Sequence, residues 1–450
     1  MTPELGALHE ARRTPGQIAG FTVVADGSLE GPPGRSGRAA GILAAFAGPY
    51  GRGRTSGALG GVEWAGALPG STEPLSTWSQ HADDAGVCVV EGDFYAEAFG
   101  RRPAIGADDS LARTLLEELL RRGPDAVNEL NGLFSGFVYS RDRRRLWFFV
   151  DHTGSRMLYY RLVNGGCEVS SNVYGFSGGG APLRLDPLSV NEDMAFGAPL
   201  DHRTVFHGVR LVAPGRVVEF DGERLLQHRY FRFPSRRERM SRGEIGEMID
   251  GAMERRVRYL GLEGKPSCIG LSGGKDSRVV CSAVVTDGLR PLALTFLTSD
   301  RDEDGLLGLR LAKATGLPSE TVNLHHMGDS EEAVGASSDA AVLSDGFTAG
   351  YGFLVLAACA ARHSRLLFTG FAGDCLSGSW SGVEPWRART VEQLSGMNRD
   401  LLGYVVPPAL ASASLLPEYR VPENEMLQDW LDCYRREQES CGDLVSTHIS

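Results

Sequence analysis

Residues 268–280 read CIGLSGGKDSRVV, and the fold of the second half of the chain turns on that stretch. Cys268 to Leu271 form a short apolar run of strand type, Ser272 to Gly274 a turn of small residues, and a helix begins near Asp276. A strand that enters a glycine turn and leaves it as a helix gathers backbone N–H groups and the positive end of a helix dipole at one point. Gly273 and Gly274 let the backbone bend tightly and present those groups, so the guest such a turn suits is a polyphosphate. A Walker phosphate loop carries Ser or Thr after its lysine. Here Asp276 follows Lys275, which argues against ordinary phosphoryl transfer and offers a hard oxygen ligand for Mg²⁺.

The surrounding sequence sets this loop in a sheet. After it come the strand pattern LALTFLT (292–298), the helix pattern DGLLGLRLAKATG (304–316), and a helix and strand through YGFLVLAACAARHSRLLFTG (351–370). Strands alternating with helices predict a doubly wound, mostly parallel sheet, whose ligands sit beyond the carboxyl ends of the strands. Upstream the pattern differs. FSGFVYS and LWFFVDH flank RDRRR as a hairpin with a charged turn, and DDSLARTLLEELLRRG is a helix with acidic start, basic end and glycine stop. The charged, proline-containing stretch FPSRRERMSR (233–242) marks a domain boundary. Beyond it Ser241 and Glu244 have capping-box spacing, and Ile245, Met248, Ile249, Ala252, Met253 and Val257 mark one helical face, read as core.

At 450 residues two domains are expected. A net charge of −11 argues against a nucleic-acid backbone as partner. No signal-peptide pattern opens the chain, and the longest apolar run, FLVLAACAA, is too short to span a bilayer, so the expectation is a cytoplasmic protein with no membrane partner. Eight cysteines without a CxxC pair read as reduced, mostly buried thiols. The carboxylates of RDEDG (301–305) read as an acidic helix start.

The loop SGGKDS resembles the signature of the pyrophosphatase-loop enzymes, which split ATP into AMP and pyrophosphate, and the chain is similar to the asparagine synthetase group within them. LLFTGFAGDCLSG (366–378) resembles the second signature of that group, with Asp374 as its carboxylate. VNELNGLFSGFVYSRDRRRLWFFVDHTGSRMLYYR, EVSSNVYGF, TVFHGVRLVAPGRVVEF and EGDFYAEAF resemble segments of the family's glutaminase domain, the last matching its NGEIYNxxxL. The resemblance covers about residues 16–380. It implies an α+β N-terminal-nucleophile (αββα) sandwich followed by an α/β parallel-sheet ATP-pyrophosphatase domain of the adenine nucleotide α-hydrolase type. The domains expected are a flexible extension at 1–15, a glutaminase-like domain at 16–232 and a synthetase domain at 241–450.

Three departures shape the functional expectation. Gly16 stands where the family has its glutamine-cleaving cysteine, an extension precedes it, and the first cysteine is Cys88. Without thiol and terminal amine the glutaminase has neither nucleophile nor base, a loss that resembles the β-lactam synthetases and lasso-peptide cyclases. Phe371 stands where asparagine synthetases carry Glu and β-lactam synthetases Tyr, and phenylalanine relays no proton. The three lysines are Lys265, Lys275 and Lys313, none after the second signature, where the family has a late one.

The resulting expectation is an AMP-forming ligase of specialised metabolism that uses ATP and Mg²⁺, adenylates the carboxylate of a small molecule or peptide, and joins it to an amine without glutamine. Leu271, Ser272, Gly273, Gly274, Asp276, Ser277, Thr295, Gly370 and Gly373 would hold the nucleotide. Asp276 and Asp374 would hold the metal, and Lys275 would neutralise phosphate charge. Asp345, Tyr351 and Phe371 are candidates for the substrate pocket. Two alternatives stay open: a helper subunit with a partner chain or as a homodimer, and a tRNA-modifying enzyme of the same loop class.

Overall fold

The structure, a computed structural model, describes residues 20–27, 29, 37–47, 53–68, 77–101, 103–104, 106–179, 182–232, 240–260, 264–324, 351–364, 366–370, 390, 392–393, 412 and 414–441. The strands are β1 Gly20–Ala25, β2 Gly53–Leu59, β3 Val62–Leu68, β4 Thr77–Ala82, β5 Gly86–Phe94, β6 Gly106–Asp108, β7 Gly132–Ser140, β8 Arg145–Val150, β9 Tyr159–Val163, β10 Gly166–Ser170, β11 Arg210–Leu211, β12 Arg216–Phe220, β13 Leu225–Arg229, β14 Cys268–Gly270, β15 Leu292–Leu297, β16 Ser319–Asn323 and β17 Leu367–Phe368. The helices are α1 Arg38–Ala47, α2 Ser110–Arg122, α3 Pro187–Phe196, α4 Arg242–Leu260, α5 Lys275–Thr286, α6 Glu303–Thr315, α7 Tyr351–Ala361 and α8 Glu423–Cys441.

The chain divides into two units, Gly16–Arg236 with Ser381–Ser450, and Arg237–Trp380 with Met1–Pro15. The extension expected at 1–15 lies outside the described residues. In the first unit, a six-stranded sheet (β11-β9-β10-β1-β3-β2) and a seven-stranded sheet (β13-β12-β8-β7-β5-β4-β6) are antiparallel throughout except for the β4–β6 pair. Strand alternation explains their layering. On β7, Phe137 and Tyr139 join Phe21, Val23, Trp64 and Val169 of the other sheet in one core, while Phe134 and Val138 join Leu111, Leu115 and Leu119 of α2 in another. The far side of the six-stranded sheet is covered by α1, where Thr22 Oγ1 donates to the Ala39 carbonyl at 2.7 Å and Ile42 is fully buried. The layers therefore run helix, sheet, sheet, helix.

The RDRRR turn closes the β7–β8 hairpin, and Arg143 donates to the Leu120 carbonyl at the end of α2. After the hairpin the chain turns around Asp151, which has no exposed surface. Its Oδ1 accepts from Thr153 N (2.9 Å), Thr153 Oγ1 (2.7 Å) and Ser155 N (3.2 Å), and its Oδ2 from Arg156 N (3.0 Å). One carboxylate thus organises the whole bend that leads into β9.

Helix α8 packs in this first unit. Trp430 is 3% exposed, with its ring 4.6 Å from that of Phe196 on α3. The sequence reading carried the second domain to residue 450. Helix α8 instead packs in the first unit, because its apolar face finds its partner on α3.

The second unit is a four-stranded, wholly parallel sheet in the order β16-β15-β14-β17. Both faces are covered. Val355, Leu356 and Cys359 of α7 pack on one side, and Val257 of α4, Cys281 and Val284 of α5 and Ala312 of α6 on the other. The expected capping box opens α4, with Ser241 N donating to Glu244 Oε2 at 2.7 Å and Glu244 N to Ser241 Oγ at 3.2 Å. The core face expected on this helix holds only in its second half. Val257 is 5% exposed and Met253 packs against the core, but Met248 is 53% exposed and Ile245 and Ile249 are each 40% exposed, because the first turns of α4 run past the edge of the packed layer.

Candidate functional site

Strand order reverses at β14. From β14 the chain steps to β15 and β16 on one side, and then returns by way of α7 to β17 on the other. A reversal of this kind leaves a crevice beyond the carboxyl ends of the two central strands, where a ligand avoids the crossing connections. The Ser-Gly-Gly loop leaves β14 at that point, and Gly370 follows β17 beside it. A Cβ placed on Gly370 would lie 2.5 Å from Ser277 N and 2.8 Å from Asp276 C. The structure therefore brings the loop and the start of the second signature into contact, although 93 positions separate Ser277 from Gly370.

The loop is held by its own side chains. Ser272 N donates to Ser277 Oγ at 3.2 Å, Gly274 N to Ser272 Oγ at 3.0 Å, and the Ser277 hydroxyl lies 3.1 Å from the Ser272 carbonyl. Gly273 N donates to the Asp304 carbonyl of α6 at 2.9 Å. Gly273 and Gly274 were expected to point their N–H groups at an anion, but both groups are engaged within the protein. The donors left for a ligand are those of the first turn of α5, Lys275, Asp276 and Ser277, which have no carbonyl four residues back within the helix. Gly274 is extended (φ −61°, ψ 149°), so the helix starts abruptly at Lys275.

Leu271 and Thr295 support the loop from beneath. Leu271 is 2% exposed, and the fully buried Thr295 donates its hydroxyl to the Leu271 carbonyl at 2.9 Å. Lys275 is exposed and Asp276 half-buried at the rim. Asp345, Phe371, Gly373 and Asp374 lie outside the described residues, and Tyr351 opens α7 without a described side chain. Among the described residues no three His, Cys, Asp or Glu side chains converge as a metal site.

Two contributors escaped the sequence reading. Asp304 supplies the carbonyl that fixes Gly273, and Gly308 lies so close that a Cβ there would sit 2.6 Å from the Leu271 carbonyl oxygen. The legible signal was the spacing of Gly305 and Gly308, which puts both on one helical face. The RDEDG segment does begin α6. Asp302 caps it, accepting from Gly305 N at 3.1 Å and from Thr298 N at 2.9 Å, and these backbone donors hold its carboxyl below the usual range.

In the first unit the EGDF segment places Glu91 in the interior at 5% exposure. Ser135 Oγ lies 3.3 Å from its Oε1, and Arg156 pairs with Asp93 at 3.2 Å. Burial pushes the Glu91 carboxyl up, against the pull of Arg156. Position 16 lies outside the described residues. Cys88 and Cys167 are fully buried, and burial pushes both thiols up, away from the thiolate a nucleophile requires. No helix among the described residues is long and apolar enough to cross a membrane.

Residues 106–231 match the family model of a glutamine amidotransferase domain. That stretch runs from β6 through β13 and makes this part of the first unit similar to an amidotransferase domain. Among solved structures, the glutamine phosphoribosylpyrophosphate amidotransferase from B. subtilis, complexed with ADP and GMP, is similar at 13% identity and a TM-score of 0.26, over 72% of this chain and 64% of that one. A structure of the allosteric regulatory enzyme of purine biosynthesis is similar at 13% identity and a TM-score of 0.28, over 74% of this chain and 66% of that one. The chain thus spans just under two thirds of the length of either. No curated protein matches it.

Proposed function

We propose that the chain is an AMP-forming carboxylate–amine ligase of the asparagine synthetase-like type, and that its amidotransferase-like unit no longer cleaves glutamine. The observation that carries this reading is the contact of Gly370 with Asp276 and Ser277 at the point of strand reversal. It sets a glycine cradle and a helix N-terminus where a pyrophosphate would rest, with the Asp276 carboxylate at the rim. The donor set suits MgATP, since free first-turn N–H groups take phosphate oxygens and a carboxylate takes a hard cation. Asp276, with Asp374, would hold Mg²⁺, which when bound neutralises charge on the phosphates.

In this reading a substrate carboxylate oxygen attacks the α-phosphorus, the bond to the β-phosphate oxygen breaks, and pyrophosphate leaves. An amine then attacks the acyl carbon, the bond from that carbon to the phosphate-linked oxygen breaks, AMP departs with the oxygen, and the amine's proton passes to solvent. The first turn of α5 holds the leaving pyrophosphate, and Lys275 offsets its charge from the exposed side. Rate enhancement would come from positioning and from charge stabilisation. The amine belongs to a small molecule or a peptide.

MgATP at a hundredfold excess over its dissociation constant should stabilise the chain by about 2.7 kcal/mol. The Asp276→Asn variant should lose most of that gain in a thermal melt. A wild-type melting curve that MgATP does not move would overturn the nucleotide reading.

The family match at 106–231 favours a second reading, in which glutamine supplies ammonia. That match does not reach the stretch around Gly16. The full chain should release no glutamate from glutamine, with or without MgATP. Release above the level of a heat-treated sample would establish the second reading.

A further inference from the structure

The contact of α8 with α3 contains a charge arrangement that neither the fold nor the nucleotide loop requires. Arg203, in the loop after α3, places Nη2 2.5 Å from Glu192 Oε1 and 2.5 Å from Asp429 Oδ2 of α8. Glu192 has no exposed surface, and its Oε2 accepts from Leu200 N at 3.0 Å. Two carboxylates thus share one guanidinium nitrogen in a contact whose apolar part is Trp430, Phe196 and Ala195. With both carboxylates ionised the cluster carries one uncompensated negative charge, with Glu192 fully buried and Arg203 and Asp429 only partly exposed, which is costly. One proton balances it.

We propose that this contact is a proton-sensitive latch: α8 docks on α3 with uptake of a proton by the Glu192–Arg203–Asp429 cluster, and loosens as the pH rises.

Glu192 is the group that takes the proton, because it is the deeper carboxylate. Burial pushes its carboxyl up to about 7, against the hydrogen bond from Arg203. Asp429 is also partly buried, which alone would raise it, but Arg203 holds it below the usual range. Undocking α8 takes Asp429 away and opens Glu192 to water, both of which lower its proton affinity. The sign follows from this difference. A carboxyl raised in the docked state favours docking fully below the ordinary glutamate range, and that contribution is lost as the pH climbs through about 7. The depressed Asp429 acts oppositely, but only when the pH falls below the ordinary aspartate range.

Other charged groups face the cluster. On α8, Arg436 lies 3.4 Å from Asp201, and Cys433 Sγ lies 3.6 Å from Asp429 Oδ2. Burial pushes the Cys433 thiol up to about 12, outside the window concerned. Arg210 lies 3.5 Å from Asp201. His202 precedes Arg203 in the loop, and Asp193, whose carboxyl burial also raises, follows Glu192 on α3. Asp193 is the rival proton acceptor.

Hydrogen exchange of the full chain between pH 5.5 and 7.5, corrected for the intrinsic rate, separates these cases. Protection of the α8 amides should fall by about tenfold per pH unit at most while one proton is linked to docking, and protection of β7 should stay level. Glu192→Gln should flatten the α8 profile, and Trp430→Ala should lower α8 protection at every pH. Wild-type α8 protection that is constant with pH, or that falls together with that of β7, overturns the latch. An unchanged slope in Glu192→Gln overturns the assignment of its proton to Glu192.

Discussion

In Gly370→Val, the gain in melting temperature that the proposed nucleotide site should give with MgATP is expected to disappear, while the second unit should still fold. The reason is the closeness of two backbones. A Cβ at this position would meet Ser277 N at 2.5 Å, Asp276 C at 2.8 Å and Asp276 Cβ at 3.0 Å, and main-chain atoms of a helix start do not rotate aside. Either the end of β17 moves outward and opens the cradle, or the first turn of α5 tilts and displaces the N–H groups that would hold pyrophosphate. A misplacement of about 1 Å costs about a hundredfold in reactions governed by positioning. The strain should also lower stability by about 1–3 kcal/mol, which a melt without nucleotide reads separately. Gly370→Ala provides the graded case, with a smaller loss of nucleotide response. A valine variant that binds MgATP as the wild type does would show that the contact has no part in the site.

The second large effect lies in the first unit. Asp151→Ala removes four acceptor contacts at once and leaves the N–H groups of Thr153, Ser155 and Arg156 without their partner. A buried donor left unsatisfied costs about 1–3 kcal/mol, and because Thr153 and Ser155 are exposed and water can reach their N–H groups, a loss of about 2 kcal/mol is expected. Asp151→Asn keeps one acceptor oxygen in place and should lose about half as much. Denaturant unfolding, followed through tryptophan fluorescence, distinguishes the two. Equal stability of wild type and alanine variant would mean that the bend is held by β8 and β9 alone.

How far these features could be read in advance depends on the distance over which their causes act. The strand–turn–helix loop at 268–277 was legible because its parts are neighbours in sequence: an apolar strand, two glycines and a helix start within ten residues. The same holds for the RDRRR hairpin, the Ser241–Glu244 cap and the start of α6 at Asp302. Engagement of Gly273 N by the Asp304 carbonyl was not legible, since a backbone acceptor leaves no mark on residue type. Exposure of Ile245 and Met248 was missed because helical periodicity shows which residues share a face, not how far the neighbouring layer extends. The partners of α8 were hidden for a different reason. Arg203 and Asp429 lie 226 positions apart, and nothing local in either segment names the other.

That separation also bears on how the chain is made. The first unit consists of Gly16–Arg236 and Ser381–Ser450, so a ribosome finishes its sandwich and then translates the parallel-sheet unit before α8 emerges. At about 5–20 residues per second, the roughly two hundred intervening residues take about 10–40 s. Throughout that interval the Phe196 surface is complete and uncovered. A nascent chain paused there displays an apolar patch that α8 later covers, and chaperone capture should peak in that window and fade once α8 has been released.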